Sequence, residues 1–466
     1  MIGGLFGSAG RRALIAAAGV IAGGVAAQAA DLGGNCCADL EERVAELEAT
    51  TARKGNRKVS LTVSGQVNEA VIFWDDGVEK NAYVVSNNNS RTRFRFVGDA
   101  KINADWSAGY LLEIGIRYAN SGNRNQFAQN AGGEANAIDI RHSAWWLDNK
   151  QLGRVWVGET SSASDGITEI NLANTLTAGP DPSAWGGGFR LRGAGGFVST
   201  LTWNNITPSF AGSWAMDGDR NNIVRYVSPT IAGFIFSAAW GEDDMWDVAL
   251  RYAGEFSGFR IAAGIGYKQH NDNVAKSGAD GIICADLAGD VTQSAVDCNT
   301  LGLSGSIMHV PTGLFVSGSW SRTEDKNRDR LYTIANAGVA TNVKNDDSHW
   351  YVIGGIEQKF LALGKTTIYG EYGQYEAGAA LNAGAARVFG AAEGGPAALG
   401  RLASTDVTQW GVGVVQSVDA AAMDLYFAFK HYEADARTSV TGAAAGAVTV
   451  SPLDWQAFMT GAIIRF

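Results

Sequence analysis

Three arginines at every second position form the most distinctive chemical pattern in this sequence. In the segment SRTRFRF (90–96), Arg91, Arg93 and Arg95 alternate with a threonine and two phenylalanines. Successive side chains of a β-strand point to opposite faces, so the three guanidinium groups share one face. An arginine turned toward membrane lipid costs about 2–4 kcal/mol at the bilayer midplane. The pattern therefore predicts a strand with one face on lipid and a basic wall facing water.

The two following segments place more charge on the same predicted wall. Alternation in 106–118 turns Glu113 and Arg117 inward, and alternation in the next segment turns Asp139 and Arg141 inward. The side chains between these charged residues are mostly leucines, isoleucines and other apolar residues. Neighbouring strands therefore predict one basic ladder along the wall of a water-filled lumen.

A long connector supplies carboxylates that can face this ladder. Residues 160–220 separate two predicted strands, and a loop of that length usually has a function. If the loop folds into the lumen, its acids oppose the arginine wall across a narrow waist, and its own arginines extend the basic side. The alternative is that these charges only hold the loop in place through salt bridges. The acids are Asp165, Glu169 and Asp181, and the arginines are Arg190 and Arg192.

Sixteen segments between residue 58 and Phe466 alternate apolar and polar side chains, which is the period of a half-buried strand. The connectors between them alternate between tight turns and long loops, as in outer-membrane barrels with short periplasmic turns. The sequence therefore predicts an all-β fold, a 16-stranded antiparallel transmembrane β-barrel over 58–466 with both ends in the periplasm. The predicted strands are 58–74, 90–99, 106–118, 137–147, 152–159, 221–228, 232–240, 245–254, 258–268, 300–309, 313–322, 347–358, 365–376, 406–417, 421–432 and 454–466.

Aromatic residues cluster near the ends of these segments. Amphipathic rings at such positions are typical of the girdles that a barrel places at both membrane interfaces. In a soluble β-sandwich the same rings would be core residues. The tryptophans assigned to girdles are Trp74, Trp106, Trp240, Trp246, Trp320, Trp350, Trp410 and Trp455.

The first 29 residues predict a cleaved secretory signal. Arg11 and Arg12 precede an apolar run of 13–26, and Ala27-Gln28-Ala29 provides small residues for cleavage. The run is shorter than the ~20 residues of a membrane-spanning helix, which argues against an anchor. Loss of the two arginines changes the net charge from −10 to −12, and an acidic protein is a poor partner for nucleic acid.

A short amphipathic helix is predicted between the signal and the barrel, within 30–57. Leu40, Val44, Leu47 and Thr51 have the spacing of a coiled-coil seam. Two heptads cannot associate stably alone, but an oligomeric barrel would raise their effective concentration. The alternative is a solvated periplasmic helix that lies against the barrel or touches the peptidoglycan.

Catalytic, metal and cofactor signatures were not found. The five histidines are far apart without metal-ligand spacing, and Gly364-Lys365-Thr366 lacks the remaining features of a phosphate-binding loop. The sequence therefore predicts no enzyme activity, no metal site and no cofactor. Cys284 and Cys298 fall in one long loop, where an oxidising compartment makes a structural disulfide plausible.

Several segments together resemble one known family. CCADLEERVAELEATTARKGNRKVSLTVSGQVNEAVIFWDDG, SRTRFRF, RVWVGETSSASDGITEINLA, GGGFRLRG, DGDRNNIVRYVSP and WGEDDMWDVALRYAGE are similar to the general diffusion porins of alphaproteobacteria, the Brucella and rhizobial type. The resemblance implies a homotrimeric channel in the outer membrane of a Gram-negative bacterium, surrounded by lipid and lipopolysaccharide. It also implies that the third loop enters the pore and that the terminal Phe466 is read by the barrel-assembly machinery. The constriction residues that it implies are Arg93, Arg95, Arg117, Arg141, Asp165 and Glu169.

Three functions are compatible with these observations. A passive pore for ions and small hydrophilic solutes is favoured by the arginine ladder and the opposing loop acids. A substrate-specific channel would require a continuous aromatic track down the lumen. A barrel that serves chiefly as a cell-wall tether would depend on the helix at 38–52.

Overall fold

Sixteen antiparallel wall strands close into a barrel, as the sequence predicts. The structure is a computed structural model that describes residues 58–116, 118–129, 138–196, 198–208, 217–241, 245–272, 296–326, 344–378, 402–439 and 447–466. Each strand pairs with its neighbours along the chain, and the first also pairs with the last. The strands are β1 (Ser60–Asp75), β2 (Lys80–Ser86), β3 (Arg93–Lys101), β4 (Trp106–Ile116), β5 (Ile138–Asn149), β6 (Gly153–Ser161), β7 (Arg190–Arg192), β8 (Val198–Thr202), β9 (Arg220–Val227), β10 (Phe234–Gly241), β11 (Trp246–Phe256), β12 (Phe259–Asp272), β13 (Val296–His309), β14 (Leu314–Asp325), β15 (Asp346–Leu361), β16 (Gly364–Ala377), β17 (Leu402–Val418), β18 (Met423–Ser439), β19 (Ala447–Val450) and β20 (Trp455–Arg465).

The second wall strand is divided in two. β3 pairs with the first half of β1, Ser60–Gln66, and β2 pairs with its second half, Glu69–Asp75. A 3-10 turn at Asn88–Ser90 separates β2 from β3. Gln66 and Asn68 on β1 donate side-chain hydrogen bonds to the carbonyl of Ser90, at 3.0 and 2.8 Å. These amides replace the backbone partners that the interruption removes. The strands that do not count toward the sixteen are β7, β8 and β19, which lie within loops.

The two ends of the chain's barrel region meet at Gly65. Its amide donates to the carbonyl of Phe466 at 2.9 Å, and the amide of Phe466 donates to the carbonyl of Gly65 at 3.1 Å. A Cβ atom at Gly65 would lie 2.5 Å from the Phe466 ring, so the terminal ring requires a glycine on the first strand. The C-terminal residue therefore takes part in barrel closure.

Tight turns on one side of the barrel have the backbone that short hairpins need. Between β11 and β12, Ser257 and Gly258 both have positive φ, +50° and +79°. Two consecutive positive φ angles define the turn whose twist matches the flanking strands. At the opposite side the strands extend past their predicted ends, for example β12 to Asp272 and β13 from Val296. Beyond the membrane neither face meets lipid, so the alternation that marks a strand is lost there.

Several predicted features lie outside the described residues. These are the signal sequence 1–29, the helix within 30–57, Arg117 and Cys284. Among the helices that the described stretches contain, none has the length and apolar character needed to cross a membrane.

Candidate pore constriction

The third loop, residues 162–219 between β6 and β9, turns into the lumen because β11 captures its first residues. The carboxylate of Asp247 accepts hydrogen bonds from the amides of Ala163 and Ser164 at 3.0 and 2.6 Å. Arg251, four residues along the same strand and on the same face, donates to the carbonyls of Ala163 and Asp165 at 2.7 and 2.8 Å. These charge-assisted bonds fix the direction in which the loop starts.

The loop then follows the inner wall from β12 to β15. A Cβ atom at Gly264 on β12 would lie 2.6 Å from the side chain of Ile167. The absence of a side chain at Gly264 therefore allows Ile167 of the loop to approach the wall closely. On β13, Ser304 accepts a bond from the amide of Ile170 at 3.2 Å. On β15, Glu357 accepts one from the amide of Asn174 at 2.9 Å. Polar wall residues thus satisfy backbone groups that a buried loop would otherwise leave unpaired.

Farther on, the loop packs an aromatic core against the wall. Its short helix α1 (Ser183–Gly186) buries Trp185 completely, and the indole nitrogen donates to the carbonyl of Thr177 at 3.1 Å. The ring of Phe189 lies 4.9 Å from Trp74 of β1 and 5.2 Å from Trp455 of β20, between ring centroids. We call this part of the lumen, formed by the inner rows of β1, β14–β18 and β20 beneath the loop, the aromatic side.

Trp74 and Trp455 therefore do not belong to an interface girdle, and that expectation was wrong for both. Trp74 shares its face of β1 with Ile72, and Trp455 shares its face of β20 with Met459, all of which are buried. By contrast, Trp240 is 61% exposed on the outer face. The sequence did carry a signal: β20 is apolar on both faces, whereas a wall bathed in water needs only one apolar face.

Three of the arginines assigned to the basic wall lie together around an acid of the same wall. Glu113 of β4 is buried and is approached by three guanidinium groups from two neighbouring strands. It accepts a short hydrogen bond from Arg95 and a 2.6 Å bond from Arg141, and the Nε of Arg93 lies 3.9 Å away. Arg95 is the most open of these arginines, with 38% of its side chain exposed. We call Arg91, Arg93, Arg95, Glu113, Asp139 and Arg141 the arginine side.

A β-bulge places Arg141 in this cluster. The pairing of β4 with β5 shifts register after Glu113, which lies opposite His142, so that Ile114 lies opposite Ile140 and Arg141 has no partner across the ladder. Bulges re-aim side chains in this way. Arg141 can therefore reach Glu113, while His142 on the next position contacts the hydroxyl of Thr160 at 3.1 Å.

The two ends of the third loop each bring an acid toward this wall, Asp165 at the start and Asp219 at the end. Asp219 at the end of the loop lies 3.4 Å from Arg220 of β9, whose charge acts on Arg93 and Arg141. Burial acts to raise the pKa of Asp165, but the charge of Arg220 and a hydrogen bond from Ser161 outweigh it and lower the pKa. Burial raises the pKa of Asp219. The sequence analysis missed Asp219 and Arg220, although both stand in the segment DGDR.

Of the two remaining predicted acids, Asp181 lies on the aromatic side. Asp181 accepts hydrogen bonds from the amide and hydroxyl of Ser183 at 2.8 and 2.6 Å, and its charge acts on Lys430 of β18. Glu169 lies between Asp165 and Asp181 along the loop, and its amide donates a hydrogen bond to the carbonyl of Gly166 at 3.3 Å.

The two predicted loop arginines fix the loop to its surroundings. Arg192 is buried and pairs with Asp76 at 2.7 Å and with Glu79 at 3.3 Å, both in the connection between β1 and β2. Arg190 lies over the ring of Phe127, 5.3 Å from its centroid. Both arginines therefore lie away from Glu113 and its three guanidinium groups.

Cys298 lies at the start of β13 and is disulfide-bonded. The other three cysteines of the sequence lie outside the described residues, so the pairing with Cys284 stays a prediction.

A model of the Gram-negative porin family matches residues 13–437. The chain belongs to the Gram-negative porin family. Together with the closed barrel, this establishes it as a channel of the outer membrane that conducts as a general porin.

Solved structures of other outer-membrane proteins are similar to this chain at low sequence identity. The anion-selective porin from Comamonas acidovorans is 14% identical, with a TM-score of 0.52 over 88% of this chain and 100% of that chain. OmpT, an outer membrane protein of Vibrio cholerae, is 14% identical, with a TM-score of 0.49 over 89% of this chain and 99% of its own. OmpF of Salmonella typhi, solved in complex with daunomycin, is 11% identical, with a TM-score of 0.45 over 89% and 99%. No curated protein matches the sequence.

Proposed function

We propose that ions and small hydrophilic solutes pass this porin along the arginine side, and that its narrowest point lies between that side and the start of the third loop. The observation that carries this proposal is the unequal covering of charge in the lumen. Arg95 keeps 38% of its side chain exposed, whereas Lys430 on the aromatic side is completely covered. A charged side chain that is exposed to the lumen can contact water and passing ions, whereas a covered one cannot.

Opposed charges at such a waist make a field across the pore. Arg93, Arg95 and Arg141 lie on one wall, while Asp165 and Asp219 belong to the loop. Rings and walls of charged side chains set the selectivity of channels, and the charges nearest the path weigh most. The net charge of −10 alone is therefore a poor guide to ion preference.

A substrate-specific channel is the weaker candidate. It would need aromatic rings exposed along the path, but the inward-facing rings Tyr375, Tyr426, Tyr432 and Trp455 are all buried among the described residues. Passive flow without a solute-binding track is the function that this arrangement supports.

Planar-bilayer recording of the purified protein tests the proposal. The wild type should give linear current–voltage steps whose conductance grows with salt without saturating. Arg93→Ala combined with Arg95→Ala should raise the cation preference measured by the reversal potential in a salt gradient. An unchanged reversal potential would remove both arginines from the ion path, and saturating conductance would favour a specific channel.

We propose further that the chain is a member of the alphaproteobacterial, Brucella and rhizobial type and assembles as a homotrimer in contact with lipopolysaccharide. The support is the resemblance of its motifs to that type, together with an outer face of β5 that presents Ile138, Ile140 and Trp145. Peptidoglycan contact through the helix at 38–52 belongs to the same proposal. Light scattering of the detergent complex tests the trimer, and deletion of 38–52 tests the contact: conductance should persist while peptidoglycan pull-down is lost.

A further inference from the structure

Three potential metal ligands converge on the outer surface of the barrel, away from the lumen. The Nε2 atom of His431 lies 3.1 Å from a carboxylate oxygen of Glu433 and 3.5 Å from one of Asp454. The three donor atoms all lie within 4.8 Å of one another. Within the described stretches of the chain, this is the one group of three such side chains that meets this spacing.

The sheet, and not a flexible loop, brings these residues together. Tyr432 of β18 pairs with Trp455 of β20, so the next residue toward the long-loop end is Glu433 on one strand and Asp454 on the other. Like charges placed opposite each other across strands are destabilising. His431 lies two residues before Glu433 on β18, on the same outward face, and pairs with Gln456 of β20.

The spacing fits a small divalent ion. Zn²⁺ binds histidine nitrogen and carboxylate oxygen at about 2.0–2.2 Å, and tetrahedral angles then separate neighbouring donor atoms by about 3.3 Å. The two observed separations, 3.1 and 3.5 Å, bracket that value. A proton on Nε2 can be shared with only one carboxylate oxygen at good geometry, whereas a metal ion would contact all three donors at once.

We propose that His431, Glu433 and Asp454 bind a divalent transition ion of the Zn²⁺ class on the outer face of the barrel. An imidazole nitrogen favours such an ion over Ca²⁺ or Mg²⁺, which prefer all-oxygen sites. Glu433 and Asp454 are 56% and 57% exposed, so a fourth coordination position is open to water. Two carboxylates and a neutral imidazole give a site whose charge the ion cancels.

The position of the site shows what the ion would do. Phe429 lies two residues from His431 along β18, toward the membrane. Trp410 of β17 lies opposite His431, with 5.4 Å between their ring centroids, and packs on Phe429 in the same aromatic belt. The ion would lie just outside this aromatic belt and join β18 to the residue that precedes β20. It would therefore clamp the base of the last long connection without touching the pore.

Zinc titration of the folded, detergent-solubilised protein after chelator treatment tests the inference. The wild type should bind one Zn²⁺ per chain at this site, with Ca²⁺ unable to compete at equal concentration. His431→Gln and, separately, Glu433→Gln should each weaken this binding at least tenfold. His309→Gln is the matched control. His309 ends β13 at the tight-turn end of the barrel, whereas the proposed site is at the long-loop end, and its ring forms a hydrogen bond with the hydroxyl of Thr312 at 2.8 Å.

Two further readouts keep the test independent of folding and of other zinc sites. Single-channel conductance selects folded barrels and should be the same in all four proteins, because the site is outside the lumen. Zinc should raise the melting temperature of the wild type and of His309→Gln but not of His431→Gln. The inference is overturned if the wild type binds no zinc, or if His431→Gln and Glu433→Gln bind it as tightly as the wild type does.

Discussion

The arginine side and the aromatic side of this lumen are built by the same chain with the same strand period, yet they treat charge in opposite ways. On the arginine side, three guanidinium groups surround Glu113, and the one of Arg95 remains partly exposed. On the aromatic side, Lys430 pairs with Glu371 at 3.2 Å and lies 5.3 Å from the ring centroid of Trp185, fully covered. Of these two clusters, the one on the arginine side is the one that leaves part of its charge exposed.

The inner row of each strand decides which of these outcomes occurs. Where the inward positions are aromatic or small, as on β1 and β20, the loop packs against the wall and excludes water. Where they are arginines around one carboxylate, the loop brings acids to that wall, and Arg95 keeps part of its side chain exposed. The comparison indicates that inward-facing apolar residues on a strand of this barrel form the surface against which the internal loop packs.

Removal of the loop's main anchor should have the largest effect. Trp185→Ala empties a fully buried site, which typically costs about 3–5 kcal/mol. We expect the third loop to detach from the aromatic side, and single channels to become noisier and more conductive. Trp240→Ala, at an outward-facing tryptophan, is the control and should leave current noise unchanged. Equal noise in both variants would mean that Trp185 does not hold the loop.

Loss of the central carboxylate of the arginine side should come next. Glu113→Gln removes the carboxylate charge that faces Arg93 and Arg141, and breaking a buried ion pair in this way costs about 3 kcal/mol. The same change should also raise anion preference. Glu255→Gln breaks the exposed pair with Arg260 and should cost less than about 1 kcal/mol. Denaturant unfolding of both variants in detergent measures the difference, and equal costs would show that Glu113 is not the centre of the cluster.

Acidification should protonate one of the two loop acids near the arginine side before the other. Burial raises the pKa of Asp219, whereas Arg220 and Ser161 outweigh burial and lower the pKa of Asp165. An ordinary aspartate titrates near about 3.9, so Asp219 should lose its charge above that pH while Asp165 keeps it. A raised pKa also means that the folded state holds this proton more tightly, so the contribution of Asp219 to stability improves as the pH falls.

Reversal potentials recorded as the pH is lowered stepwise from neutral toward the ordinary aspartate range measure this effect, which should be a modest shift toward anion preference. Asp219→Asn is neutral at every pH and should abolish most of the shift. A shift of the same size in the variant would assign the titration to other groups.

The sequence predicted the barrel because lipid imposes a two-residue period that segments such as β3 and β12 display openly. It predicted the arginine ladder for the same reason, since Arg93 and Arg95 cannot face lipid. It did not predict the contacts of the third loop, because Asp181 and Arg192 gain their partners, Lys430 and Asp76, from distant parts of the chain. Nor did it predict the bulge at Arg141, which depends on the register with β4.

The most direct test of the account removes one positive charge from each side and compares the ion selectivity of single channels. Arg95→Gln and Lys430→Met should both be recorded in a salt gradient, where only folded barrels contribute steps. We expect Arg95→Gln to move the reversal potential toward cation preference and Lys430→Met to leave it at the wild-type value. Equal shifts in both variants, or a shift in Lys430→Met alone, would contradict a conduction path along the arginine side.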